Sequence, residues 1–111
     1  MAEIWIGYTT LEDEGQAEAL AGRLVEQKLA ACVQVEGPVR SFYRWQGELK
    51  REAEYRLVVK FPREKLVELE RFIQREHPYD TPEWLAVPVE RAAPEYARWV
   101  RRSCLSEQEN A

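Results

Sequence analysis

Apolar positions along this chain switch between two periods, and each switch marks an element. Ile4-Trp5-Ile6-Gly7-Tyr8-Thr9 is a β-branched and aromatic run short enough for a mostly buried strand. Ala17, Leu20, Ala21, Leu24, Val25 and Leu29 then recur at helical spacing, which predicts a helix from about Asp13 to Leu29. Asp13 and Gln16 stand at capping-box spacing, and Glu12, Asp13 and Glu14 suit the positive end of that helix. A second strand begins at Ala31-Cys32-Val33-Gln34-Val35, bends at Gly37-Pro38, and resumes through Val39 to Trp45, because the pattern continues beyond the bend. Gln46-Gly47-Glu48 predicts the turn into a third strand. There Ala53, Tyr55, Leu57, Val59 and Phe61 take one face, and Glu52, Glu54, Arg56 and Lys60 the other.

Pro62 sets the next helix start, and Leu66, Leu69, Phe72 and Ile73 form its apolar stripe to about Glu76, before Pro78 stops it. Trp84-Leu85-Ala86-Val87 between prolines predicts a short edge strand. A last helix starts near Pro94, with Tyr96, Trp99, Val100 and Cys104 expected to face inward. The order β-α-β-β-α-β plus a helix is the ferredoxin-like split βαβ arrangement of the α+β class, with residues 1–105 as one domain and 106–111 as a flexible tail. The hairpin of strands two and three is too long for two helices to cover, and long uncovered strands invite pairing with another chain.

Composition narrows the function. At 111 residues and 45% hydrophobic content the chain can build a core without disulfide or metal staples. A net charge of −4 removes the cationic footprint of a general nucleic-acid binder. His77 is the only imidazole, and Cys32 and Cys104 are the only thiols, with no C-x-x-C spacing. One chain therefore cannot assemble a His-rich or Cys-rich metal cage. The N-terminus lacks a signal-peptide pattern and no apolar run is long enough to cross a membrane, which predicts a reducing, cytoplasmic setting without a membrane partner.

The common nucleotide-binding, hydrolase and zincin motifs are absent. His77, before Pro78 at a helix end, suits a metal, a proton relay or a plain loop anchor. Cys32 lies in a strand among Ala31, Val33 and Val35, as a small buried hydrophobe does. Lys60, flanked by Val59 and Phe61, is placed either to hold an anion in a cleft or to snorkel, and Glu83 is a candidate partner for it. Phe42, Tyr43, Trp45 and Tyr55 suit a core or subunit interface better than a base-stacking platform in so acidic a chain.

Three segments together resemble the CutA family of divalent-cation tolerance proteins: Leu29-Ala30-Ala31-Cys32-Val33, Ser41-Phe42-Tyr43-Arg44-Trp45-Gln46-Gly47-Glu48, and His77-Pro78-Tyr79-Asp80-Thr81-Pro82-Glu83. Lys60, Tyr96 and Trp99 extend the match, which spans about residues 3–103. The resemblance implies a ferredoxin-like subunit in a homotrimer like that of PII signalling proteins, and a role in tolerance to Cu2+ or another divalent cation, weakly bound. It also implies an intersubunit cleft lined by Cys32, Trp45, Lys60, His77, Tyr79 and Glu83 that takes a small ion or small polar ligand. Copper ligands proposed for the family are a cysteine late in the first strand and two adjacent histidines; this chain has Tyr8 and Glu76 at two of those positions and keeps His77. Glu76 and His77 are thus the expected metal pair, with oxygen donation from Glu76 favouring harder cations. The cleft set holds no obvious nucleophile and base, so binding or signalling is expected over catalysis. The alternative is a PII-like signalling or scaffold trimer that binds a small anion or partner loop through Lys60.

Overall fold

A computed structural model describes residues 2–110; Met1 and Ala111, the ends of the expected domain and tail, lie outside them. Strands β1 (Ile4–Leu11), β2 (Cys32–Trp45), β3 (Glu48–Pro62) and β4 (Leu85–Pro88) form one sheet in the order β2-β3-β1-β4, every neighbouring pair antiparallel. Helices α1 (Glu14–Glu26) and α2 (Leu66–Glu76) pack on one face, and α3 (Pro94–Cys104) follows β4. This is the expected ferredoxin-like α+β fold with an added C-terminal helix. Among the described residues no helix is long and apolar enough to cross a membrane.

Local chemistry fixes the element ends. Asp13 accepts the Gln16 backbone N–H at 2.8 Å, the cap its spacing predicts. Helix α1 stops three residues before the expected Leu29: Lys28 turns to φ 61°, its N–H reaches Val25 O, and Leu29 N–H reaches Leu24 O. That is a Schellman ending with a lysine where glycine is usual, and it drops Leu29 into the core against Leu24. Gln46 and Gly47, with φ of 50° and 82°, form a two-residue turn between paired Trp45 and Glu48, which matches the right-handed twist of the flanking strands. Pro62 ends β3 and leads into a 3-10 turn at Arg63–Lys65, so α2 starts at Leu66, later than the proline alone suggests.

The core lies between the sheet and α1 and α2. Leu57, Val59 and Phe61 from β3 meet Leu20 and Leu24 from α1 and Leu69, Phe72 and Ile73 from α2. A second cluster joins Val100 and Cys104 of α3 to Ile4 and Ala31. Tyr96 and Trp99 do not join it: they are 40% and 41% exposed and stack on each other, a correction to their expected inward orientation. A helix of 11 residues resting on one sheet end buries only a narrow stripe, and Val100 and Cys104, four apart, already fill it. In Ser106–Asn110 the Ser106 and Glu109 side chains cap each other's backbone N–H, and Arg101 Nε donates to Asn110 Oδ1 at 3.1 Å.

The opposite sheet face is only partly covered in this chain, by α3 at the Ile4 end. Register places Ile6, Lys60 and Val87 in one row and Tyr8, Val58 and Leu85 in the next, and Leu85 and Val87 are exposed. The β2–β3 hairpin extends past the helices and stretches the chain to 50 × 25 × 21 Å. Phe42, Tyr43, Trp45 and Leu49 stand exposed along it.

Candidate functional site

The site is built where the loop after α2 folds over the end of β1 and meets the hairpin arm. Pairing of β2 with β3 slips between Glu36 and Val39, at the cis Gly37–Pro38 bond, and the arm continues from that bulge. Gly37 at φ 142° is required there, since a β-carbon would stand 2.9 Å from the Glu54 carbonyl oxygen. The loop is pinned by His77. Its Nδ1 accepts the Tyr79 backbone N–H at 3.1 Å, so Nε2 carries the proton and donates to the Thr10 carbonyl at 2.9 Å. Burial holds the imidazole below its ordinary pKa, opposed by the Thr10 hydrogen bond and the Glu54 charge.

Tyr79, edge-on to the His77 ring, reaches across to β3, where its hydroxyl donates to Glu54 Oε2 at 2.9 Å. Burial first, then this bond to a carboxylate, pushes the Tyr79 phenol well above its usual pKa. Glu54 is 8% exposed and has no other hydrogen bond and no ion pair among the described residues. It lines a pocket of about 640 Å³ with four other carboxylates, Glu12, Glu52, Asp80 and Glu83. Phe42, Tyr43, Trp45 and Tyr79 supply aromatic walls, and among the described residues of this chain no lysine or arginine lines it. Glu83 is held above the usual carboxyl range by partial desolvation and then by the Glu54 charge, with Arg56 opposing. Arg56 itself is committed to Glu36 at 2.7 Å and lies over the Tyr8 ring.

Of the residues expected to share a cleft, Trp45, Tyr79 and Glu83 therefore meet in one pocket, with His77 behind them. Cys32 and Lys60 do not. They pair with each other across β2 and β3 at the opposite end of the sheet, where Lys60 Nζ lies 6.0 Å from the Tyr96 ring centre.

Within this chain both residues of the expected metal pair are engaged by other partners. Both ring nitrogens of His77 are engaged within the chain, leaving no lone pair for a metal. Glu76 points to Arg23 and Arg75, one on each carboxylate oxygen, and their hydrogen bonds hold its carboxyl below the usual range. Cys104 is buried and its thiol is pushed up to about 11 by desolvation, which leaves it protonated and a poor ligand at neutral pH. No group of three or more His, Cys, Asp or Glu side chains among the described residues could hold a metal ion. Cys32 is a half-buried free thiol on β2, and the charged donors that line the pocket are carboxylate oxygens.

Sequence reasoning missed Glu12, Glu52, Glu54 and Asp80. The available signal was Glu54 four residues from Lys50 and two from Arg56, an acid on the polar face of a strand, which reads as solvated until the loop is seen to cover it.

Comparison with known proteins is consistent with this architecture. A family model described as CutA1 divalent ion tolerance protein matches residues 5–103. The divalent-cation tolerance protein CutA of Archaeoglobus fulgidus is 38% identical over 93 residues, which are 84% of this chain and 90% of that one. Among solved structures, CutA from Synechococcus elongatus superposes with a TM-score of 0.90 at 37% identity, covering 95% of this chain and 93% of its own. A structure described as the periplasmic divalent cation tolerance protein CutA from Archaeoglobus fulgidus gives 0.87 at 34% identity, covering 92% and 99%.

Proposed function

The chain belongs to the CutA1 divalent ion tolerance family, and from that premise we propose that it serves divalent-cation tolerance as a homotrimer that binds positively charged ligands in the pocket of Glu54 and Glu83. The observation that carries the pocket's role is Glu54 itself. A carboxylate this buried, with one tyrosine hydroxyl as its hydrogen-bond partner among the described residues, has no counter-charge within its own chain. Divalent cations bind there weakly, through oxygen donors, because a strong site needs more converging ligands than the pocket brings together. Cu2+ at Glu76 and His77 has no place in this reading.

The exposed Leu85 and Val87 and the exposed aromatic arm support self-association. In the trimer the pocket becomes an intersubunit cleft, and Cys32 and Lys60 enter it only from a neighbouring subunit. The family is named for tolerance and not for a reaction, and we read the site as one for binding, not catalysis. Two free cysteines support a reducing compartment such as the cytoplasm.

Isothermal titration of Mn2+ and Cu2+ into the wild type, Glu54→Gln and His77→Ala tests the pocket. Loss of Mn2+ binding in Glu54→Gln with unchanged Cu2+ affinity in His77→Ala is expected; Mn2+ binding indifferent to Glu54 sinks it. Light scattering tests the assembly, with a mass of about 39 kDa, three times the 13.1 kDa chain, as the expected result.

A further inference from the structure

Glu54 and Lys60 carry opposite charges that cannot meet within one chain. Glu54, Arg56, Val58 and Lys60 alternate along β3 with the core residues Leu57, Val59 and Phe61, so both stand on the sheet face turned away from α1 and α2. Six residues of extended strand hold their α-carbons about 20 Å apart, which no pair of side chains spans. Each lacks a counter-charge of its own. Glu54 is more than nine-tenths buried and its hydrogen bond among the described residues is from the Tyr79 hydroxyl, while Lys60 makes no ion pair among them. The neighbours of Lys60 across the sheet are Cys32 and Ile6, with the Tyr96 ring 6.0 Å away, and none is anionic.

The two ends of this face also match in their apolar parts. Phe42, Tyr43 and Trp45 are exposed at the Glu54 end, and Val87, Tyr96 and Trp99 at the Lys60 end. A closed ring of three identical chains repeats one head-to-tail contact, in which a patch of each subunit meets a different patch of the next. Joining two acidic ends would set carboxylates against carboxylates, so charge selects the unlike pairing.

We propose that Lys60 of the partner subunit is the counter-charge of Glu54 and Glu83, and that a divalent cation enters this site only by displacing that ammonium. This rests on the trimer and cation readings above and adds the residue that controls the site. The cation is then held weakly, because it must first break a charge-assisted contact in a buried place.

The test compares wild type, Lys60→Met, Glu54→Gln and the double variant as assembled proteins. Lys60→Met keeps most of the aliphatic stem, and Glu54→Gln keeps an acceptor for the Tyr79 hydroxyl. Light scattering across a dilution series in fixed urea gives each assembly constant. Each single variant is expected to weaken assembly by about tenfold or more, since it leaves the other charge buried and alone. The double variant is expected to lose at least about fivefold less than the product of the two single losses. Sites about 20 Å apart within one chain lose independently, so purely multiplicative losses overturn the pairing while a trimer mass leaves the assembly standing. A wild type of monomer mass overturns both. Should a single variant fall to monomer mass, recovery of the trimer mass in the double variant supports the pair and failure to recover overturns it. Titration of Mn2+ reads the displacement: Lys60→Met is expected to bind it about threefold or more tighter than wild type, because a competing positive charge is gone. Equal affinity overturns the displacement, and no Mn2+ binding to either protein overturns the cation reading together with it.

Discussion

Trp84 lies flat against Gly7: a β-carbon on Gly7 would stand 2.3 Å from Trp84 Cη2 and 2.7 Å from Cζ3. The ring cannot withdraw, because it packs near Phe61 on one side and its Nε1 donates to Glu70 at 3.0 Å. Gly7 sits mid-strand in β1, opposite Val59 and Ala86, so the backbone has no freedom to yield either. Gly7→Ala is therefore expected to cost about 2–3 kcal/mol, the upper range of overpacking, read as a lower urea midpoint with unchanged m value.

Lys28 carries the reverse expectation. It closes α1 in the left-handed region at φ 61°, where a side chain is disfavoured and glycine is not. Lys28→Gly leaves the Leu29 to Leu24 hydrogen bond in place. It should stabilise by about 0.5–1 kcal/mol in chemical denaturation, after glycine's greater freedom in the unfolded chain is offset.

The contrast between these two positions shows what was legible in the sequence. Periodicity gave α1 and β3 because each buries a regular stripe, and Asp13 announced its cap because that bond is local. The end of α1 was placed late because Leu29 continues the apolar spacing although the chain has already left the helix. The resemblance groups Trp45, Tyr79 and Glu83, which line one pocket; it does not point to Glu54, whose hydrogen-bond partner is a tyrosine 25 positions away. Tyr96 and Trp99 fit a helical stripe, but α3 has a sheet end to bury only Val100 and Cys104.

Thr9 is fully buried on β1 opposite Leu57, and its hydroxyl has no hydrogen-bond partner among the described residues. An unpartnered hydroxyl in an apolar layer is a cost that a methyl of the same shape removes. Thr9→Val keeps the β-branched form that a central strand favours and should stabilise by about 1 kcal/mol, measured as a raised urea midpoint.

His77 ties stability to pH through the loop that walls the pocket. Its pKa lies below 6.5 in the folded chain, first because of burial, with the Thr10 carbonyl and the Glu54 charge opposing. The unfolded chain takes up its proton near the ordinary value of about 6.5, before the folded chain does, so across that interval the unfolded state binds more protons. The His77 contribution is thus complete above the unfolded value and is lost as pH falls from there through the folded one. Protonation also fills Nδ1, which can then no longer accept the Tyr79 N–H, and the loop carrying Tyr79 and Glu83 loses its anchor. Glu83 works in the opposite sense, since its raised pKa adds stability as pH falls through its folded value toward the acid side. The informative quantity is therefore a difference. Urea midpoints of wild type and His77→Gln, followed from neutral pH downward through the imidazole range, should show a steeper fall in wild type. Parallel curves would mean that His77 is protonated equally in both states and that its two hydrogen bonds do not hold the loop.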